Sequence, residues 1–172
     1  MTAQFSAIPG AVVDELGLVH VGQPMTEQRQ LATGAAIALL GDRRVLSVAG
    51  EDRLTWLDSV TSQAVARLTP GESTELLVLD PQGHVEHAAA VVDDGETTWL
   101  IVDDAVAQNL LTFLTRMRFR LRVDPQDRSA THRVIGGTEA ALDGVDAVAR
   151  WVDPWPHAAP GGWGYAVADP HP

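Results

Sequence analysis

Cysteine and lysine are both missing from this chain of 172 residues. Without a thiol it has no disulfide framework, no thiolate nucleophile and no thiolate-bound zinc or iron-sulfur centre. Without a lysine it has no side-chain amine for Schiff-base chemistry and no cation for a phosphate-binding P-loop. Positive charge is scarce too: the twelve basic residues, all Arg, face 23 acidic ones, for a formal net charge of -11 and a pI near 4.7. A protein that tracks a phosphate backbone needs cations clustered over a broad face, so direct nucleic-acid binding is disfavoured and any anion site must be local. Long hydrophobic runs are absent, and no window approaches the roughly 18 apolar residues of a membrane span. The opening Met1 to Val21 mixes Pro9, Asp14, Glu15 and His20 into its apolar residues, with no Arg before Arg29. It does not read as a signal peptide, and a cytoplasmic location is expected.

What is present is the composition of an ordinary globular protein, with 45% hydrophobic and 20% charged residues. An irregular lead-in is followed by a short helix over Glu27 to Ala32, capped by Thr26 and stopped by Gly34. Ala35 to Leu40 and Val45 to Ala49, split by Gly41, Asp42 and Arg43, read as a hairpin. Gly50, Glu51 and Asp52 open a helix with Leu54, Leu57 and Val60 at helical spacing. Ser73 to Leu79, His84 to Val92 and Thr97 to Val102 read as a three-strand antiparallel meander, turned at Asp80-Pro81-Gln82-Gly83 and at Asp93-Asp94-Gly95. Asp103 or Asp104 caps the clearest helix, whose stripe is Val106, Leu110, Leu114 and Met117. Phe119, Leu121 and Val123 alternate with Arg118, Arg120 and Arg122, which predicts a strand stopped by Asp124 and Pro125, with guanidinium groups about 7 Å apart on one face. Thr131 to Ile135 gives a short strand, and Thr138 caps a weak helix through Val148. The tail is rich in Pro and Gly, carries Trp151, Trp155 and Trp163, and closes on a strand pattern at Gly164 to Val167. Strands and helices interleave without regular alternation, which predicts an α+β fold of antiparallel sheets with packed helices.

Several segments invite a chemical reading. His84, Glu86 and His87 sit within four residues, but on a strand positions 84 and 87 point to opposite faces, so no metal site is expected. The row of Arg118, Arg120 and Arg122 suits bidentate pairing with carboxylates, or else is a solvated edge that deters strand addition. Gly136-Gly137-Thr138 and Gly161 to Gly164 lack phosphate-loop spacing and read as turns. His132, His157 and His171 are isolated and read as structural. The tail Trp residues are either core plugs or a partner face.

The order of these pieces resembles a known family. Gly50-Glu51-Asp52-Arg53, Trp56-Leu57 and Val60 to Val65 are similar to a Gly-x-Asp step opening a helix that ends in Thr-x-x-Val. Leu79 to Val85 looks like that family's strand, Asp-x-x-Gly turn and return strand, and Asp104 to Val123 resembles its next helix and strand. The family is the YgfZ-type folate-binding proteins, relatives of the glycine-cleavage aminomethyltransferase. The resemblance covers about residues 35 to 136. It implies the N-terminal part of a three-lobed, aminomethyltransferase-like ring around a channel for tetrahydrofolate, with residues 1–34 as lead-in and first helix and residues 137–172 as a tail leading into a later half. In the YgfZ branch such proteins support iron-sulfur enzymes and the tRNA modification that depends on them, which implies iron-sulfur client enzymes as partners.

On this resemblance Asp80, Gly83 and Glu86 line the pterin side of the channel, Thr61 and Gln63 line the same wall, and Arg118, Arg120 or Arg122 pairs with the glutamyl carboxylates. The aminomethyltransferase branch has an acidic pair, including its catalytic aspartate, where this chain has Glu86 and His87. Glu86 is therefore the sole catalytic candidate. YgfZ-type chains also carry a Lys-Gly-Cys-aromatic motif in their later half, and with neither Lys nor Cys here the sequence is expected to be roughly the first half of such a protein. The alternatives are a folate-dependent aminomethyltransferase using Glu86 and a non-catalytic interaction domain docking through Trp151, Trp155 and Trp163.

Overall fold

Strands with a two-residue burial period flank a helix with a 3.6-residue one, and the fold follows from bringing those apolar faces together. The computed structural model describes residue 5 and residues 7–154. In chain order the elements are β1 Ala11–Val13, β2 Leu18–Val21, α1 Pro24–Ala32, β3 Ala38–Leu39, β4 Arg43–Ala49, α2 Arg53–Val60, β5 Ser73–Leu79, β6 Val85–Asp93, β7 Thr97–Asp103, α3 Asp104–Met117, β8 Asp124–Asp127, β9 Ile135–Gly136 and α4 Glu139–Leu142. Helices and antiparallel strands mix as an α+β fold requires. The main sheet has five strands in the order β5-β6-β7-β4-β8, and β1-β2 and β3-β9 form two small pairs.

One face of the main sheet is the core. Leu46, Val48, Leu76, Val78, Ala89, Val91, Leu100 and Val102 meet Trp56 and Leu57 of α2 and Ala107, Leu110 and Leu114 of α3. Each such side chain contributes about 1.5–3 kcal/mol of burial. The Trp56 indole N–H donates to the Met117 carbonyl at 3.0 Å and joins the two helices. The Asp103 carboxylate accepts from Ala105 N at 2.9 Å and starts α3. The opposite row of the same strands, including Leu77, Ala88, Ala90, Trp99 and Ile101, faces a groove lined on its other side by residues 131–153.

Several expectations need correction. Gln23, not Thr26, is the N-cap of α1; Pro24 takes the first helical position, and Thr26 sits inside the helix with its hydroxyl 3.2 Å from the Gln23 side chain. The hairpin of Ala35 to Leu40 with Val45 to Ala49 does not form. β3 pairs with β9, while β4 pairs over its whole length with β7, where Leu46 meets Leu100 and Val48 meets Thr98. Seven paired residues on a buried face outweigh a local turn.

Arg118 to Val123 is not a strand: the segment is a bend and turn, and Phe119 stands in the left-handed region at φ 45°. Pairing resumes only at β8. Pro125, expected to end a strand, lies inside β8, which is tolerated because β8 is an edge strand with one side free of ladder bonds. The strand expected at Thr131 to Ile135 shrinks to Ile135–Gly136, and the helix capped by Thr138 ends at Leu142, two residues before Gly144 turns the chain at φ 74°. Trp155, His157, Trp163, His171, the Gly161 to Gly164 turn and the strand at Gly164 to Val167 lie outside the described residues.

Candidate ligand groove

The groove between the sheet and residues 131–153 has a volume of about 1290 Å³. Its floor is apolar because β5 offers Leu77, β6 offers Ala88 and Ala90, and β7 offers Trp99 and Ile101. The alanines matter here, since a larger residue at either position would fill the space above the sheet. Across from the floor stand His132, Ile135, Leu142, Val145 and Trp151. The His132 ring lies 5.0 Å from the Trp99 ring, centroid to centroid, at a tilt of 42°. The Trp99 indole donates to Asp94 Oδ2 at 2.7 Å, which fixes the ring's orientation. Burial alone would push the Asp94 carboxyl up, but the Trp99 indole and the backbone N–H groups of Thr97 and Glu96 outweigh it and hold it below the ordinary range.

Glu86 reaches this groove through a break in pairing. Val78 pairs with His87 and Leu79 with Val85, so Glu86 has no partner across the ladder and forms a β-bulge. Its carboxylate is exposed on the groove side, next to Val85 and Ala88. His87, the next residue, packs beside Phe113 with ring centroids 6.5 Å apart, and its Nδ1 is buried with no hydrogen-bond partner among the described residues. Arg43 also lines the groove and pairs with Asp103 at 3.4 Å.

The other residues that the resemblance assigned to a folate site lie away from the groove lining. Asp80 and Gly83 form the exposed hairpin tip. Asp80 Oδ1 accepts from Gln82 N and His84 N, each at 2.8 Å, and its Oδ2 is 2.9 Å from His84 Nδ1. The His84 backbone and side-chain bonds, helped by Gln82 and Gly83, hold the Asp80 carboxyl below its usual range. Thr61 donates to the Leu57 carbonyl at 2.8 Å and caps the end of α2, and the Gln63 amide is 3.4 Å from the Thr74 hydroxyl. Arg118 and Arg120 are exposed on the turn after α3, while Arg122 pairs with Glu51 and Asp52. The described residues include no group of three or more His, Cys, Asp or Glu placed to hold a metal ion.

Sequence reasoning missed Trp99 and His132, the aromatic pair of the groove. Trp99 was legible as the outward member of an alternating strand, but His132, 33 positions later, gave no signal.

No protein-family model matches the sequence, and no curated protein matches it. Among solved structures, the glycine cleavage system aminomethyltransferase T of Bartonella henselae superposes with a TM-score of 0.57 at 17% identity. The two share a fold. The alignment covers 70% of this chain and 35% of the aminomethyltransferase, so this chain matches about a third of that protein's length. No helix among the described residues is long and apolar enough to cross a membrane.

Proposed function

We propose that this chain belongs to a tetrahydrofolate-binding protein of the aminomethyltransferase type and that the groove takes the pteridine end of the ligand. The observation that carries the reading is the Glu86 bulge, which takes one carboxylate out of the β6 ladder beside the apolar floor of the groove, in a fold shared with an aminomethyltransferase. A planar heteroaromatic ring fits such a site. Trp99 offers a face for stacking, and a carboxylate accepts from the amino and ring N–H groups of a pterin. The cavity is large enough for a ligand of this size, since small-molecule sites run from about 300 to 1,000 Å³. Asp80 and Gly83 then act by shaping the hairpin that sets the bulge, and Thr61 and Gln63 by anchoring the segment beside β5. The glutamyl carboxylates need a cation at the groove, and Arg43 is placed for that role, whereas Arg118, Arg120 and Arg122 lie away from the lining.

An accessory role toward iron-sulfur enzymes and dependent tRNA modification is the finer form of this proposal, supported by the sequence pattern of residues 35 to 136. The enzyme alternative uses the same Glu86 to stabilise charge during one-carbon transfer. The interaction-domain alternative loses part of its surface, because Trp151 is half-buried with its indole N–H on the Thr74 carbonyl at 2.9 Å.

Isothermal titration with 5-formyltetrahydrofolate tests the reading. Binding weakened about 10- to 100-fold in Glu86→Gln, the loss of a charge-assisted bond of about 1.5–3 kcal/mol, supports it. Absence of binding to the full-length protein, or equal affinity in the variant, removes it.

A further inference from the structure

The turn from Arg118 to Leu121 holds the one non-glycine residue with a positive φ among the described residues. Phe119 is 77% exposed and Leu121 45% exposed, so neither side chain is spent on the core. Phe119 also holds φ at 45°, a region that costs a bulky L-residue about 1–3 kcal/mol and that Gly enters freely. Neither the exposure nor the strain of Phe119 is offset by burial in the core of the described residues. The turn is nonetheless held firmly. Leu121 N donates to the Arg118 carbonyl at 2.9 Å, Arg122 N donates to Asp52 Oδ2 at 2.9 Å, and the Trp56 indole grips the Met117 carbonyl just before it.

Two exposed cations sit at the same place, as Arg29, Arg67 and Arg116 do elsewhere on the surface. Arg43, Arg44 and Arg53 are paired with Asp103, with Asp104 and Asp127, and with Asp93. Glu51 and Asp52 neutralise Arg122, and Asp124 is engaged by the Gln126 amide. Arg118 and Arg120 project as exposed cations on either side of Phe119, in a chain whose net charge is -11.

We infer that Arg118, Phe119, Arg120 and Leu121 form a rigid docking knob for a partner protein that presents an apolar pocket rimmed by carboxylates. Phe119 fills the pocket, and the two guanidinium groups pair with the rim. Two cations are too few for an anionic membrane or a nucleic-acid backbone, which this strongly acidic chain would meet with net repulsion. A carboxylate-rimmed pocket offers local complementarity at short range, within a Debye length of the knob. This inference is independent of the folate reading, because none of the four residues lines the groove.

The test places the photo-reactive amino acid p-benzoylphenylalanine at position 119 of the full-length protein in cells that make it, with the exposed Val19 as control site. The expected result is a cross-linked protein whose joined peptide carries several Asp or Glu around an apolar residue. A synthetic copy of that peptide then binds the purified protein, about tenfold or more weaker after Arg118→Glu with Arg120→Glu or after Phe119→Ala, and weaker at high salt. Phe119→Gly is expected to raise the melting temperature while abolishing peptide binding, a combination that a structural role does not produce. No adduct beyond the Val19 control overturns the inference. So does an adduct only to lipid, nucleic acid or a second copy of the chain, or peptide binding that ignores the substitutions.

Discussion

Arg53 grips Asp93 with two hydrogen bonds of 2.8 Å, Nε to Oδ2 and a terminal guanidinium nitrogen to Oδ1, where β6 ends and α2 begins. Asp93 is 1% and Arg53 12% exposed at the side chain, so the pair is withdrawn from water. Thr98 donates to Asp93 Oδ2 at 2.6 Å and Gly95 N to Oδ1 at 2.8 Å, which makes this carboxylate the hub joining helix, hairpin turn and strand. Removing one partner strands the other charge inside the protein. Asp93→Ala is therefore expected to cost about 3–5 kcal/mol in urea unfolding, and Arg53→Met a similar amount.

The same pair sets an acid limit. Burial on its own would raise the Asp93 carboxyl, but bonds from Arg53, Thr98 and Gly95 N outweigh it and bring it below the ordinary carboxylate range. A carboxyl depressed on folding adds stability that is fully present above its unfolded pKa of about 3.9, and that is lost as pH falls through the lower folded value. Unfolding free energy measured from neutral pH into this acid window should fall less steeply in Asp93→Asn than in the parent, on top of a lower starting stability.

Gly50 shows where glycine is required. It has φ 114°, and a Cβ there would sit 2.0 Å from the Arg122 carbonyl oxygen. Gly50→Ala is expected to destabilise by about 2 kcal/mol or more, by strain and by forcing the turn after α3 away from α2. Gly83, at φ 88° with no atom within 4 Å of an added Cβ, is the control, and Gly83→Ala should cost about 1 kcal/mol in the same thermal melts.

The bulge offers a cleaner separation of structure from ligand binding than a point substitution does. Since Val78 pairs with His87 and Leu79 with Val85, deleting Glu86 turns two separated ladder pairs into consecutive ones without changing either. The melting temperature should stay within a few degrees of the parent while folate titration shows no binding. A large loss of stability would mean that the bulge is needed to close the hairpin.

The meander of β5, β6 and β7 and the long helix α3 were legible from the sequence because their periods, turn residues and cap are local. Ser73 to Leu79 was read to the residue. The arginine segment was misread because alternation of Phe119, Leu121 and Val123 mimics a strand, while the features that decide it, the Asp52 carboxylate on Arg122 N and the positive φ of Phe119, come from elsewhere in the chain or from the backbone. At the groove, Glu86 was identifiable as a lone carboxylate after a turn. Its bulge was not, since that depends on the register of the neighbouring strand. His132 reaches Trp99 only through a loop with no periodic pattern at all.

The Leu77 carbonyl of the outer strand β5 receives Ser62 N at 2.8 Å, and the Thr74 carbonyl receives the Trp151 indole. These neighbours stand where an incoming chain would otherwise lie down beside β5. The tryptophan of the groove wall thus doubles as a guard on the sheet's open margin. A shortened protein lacking it would be prone to join edge to edge with further copies even with its interior intact.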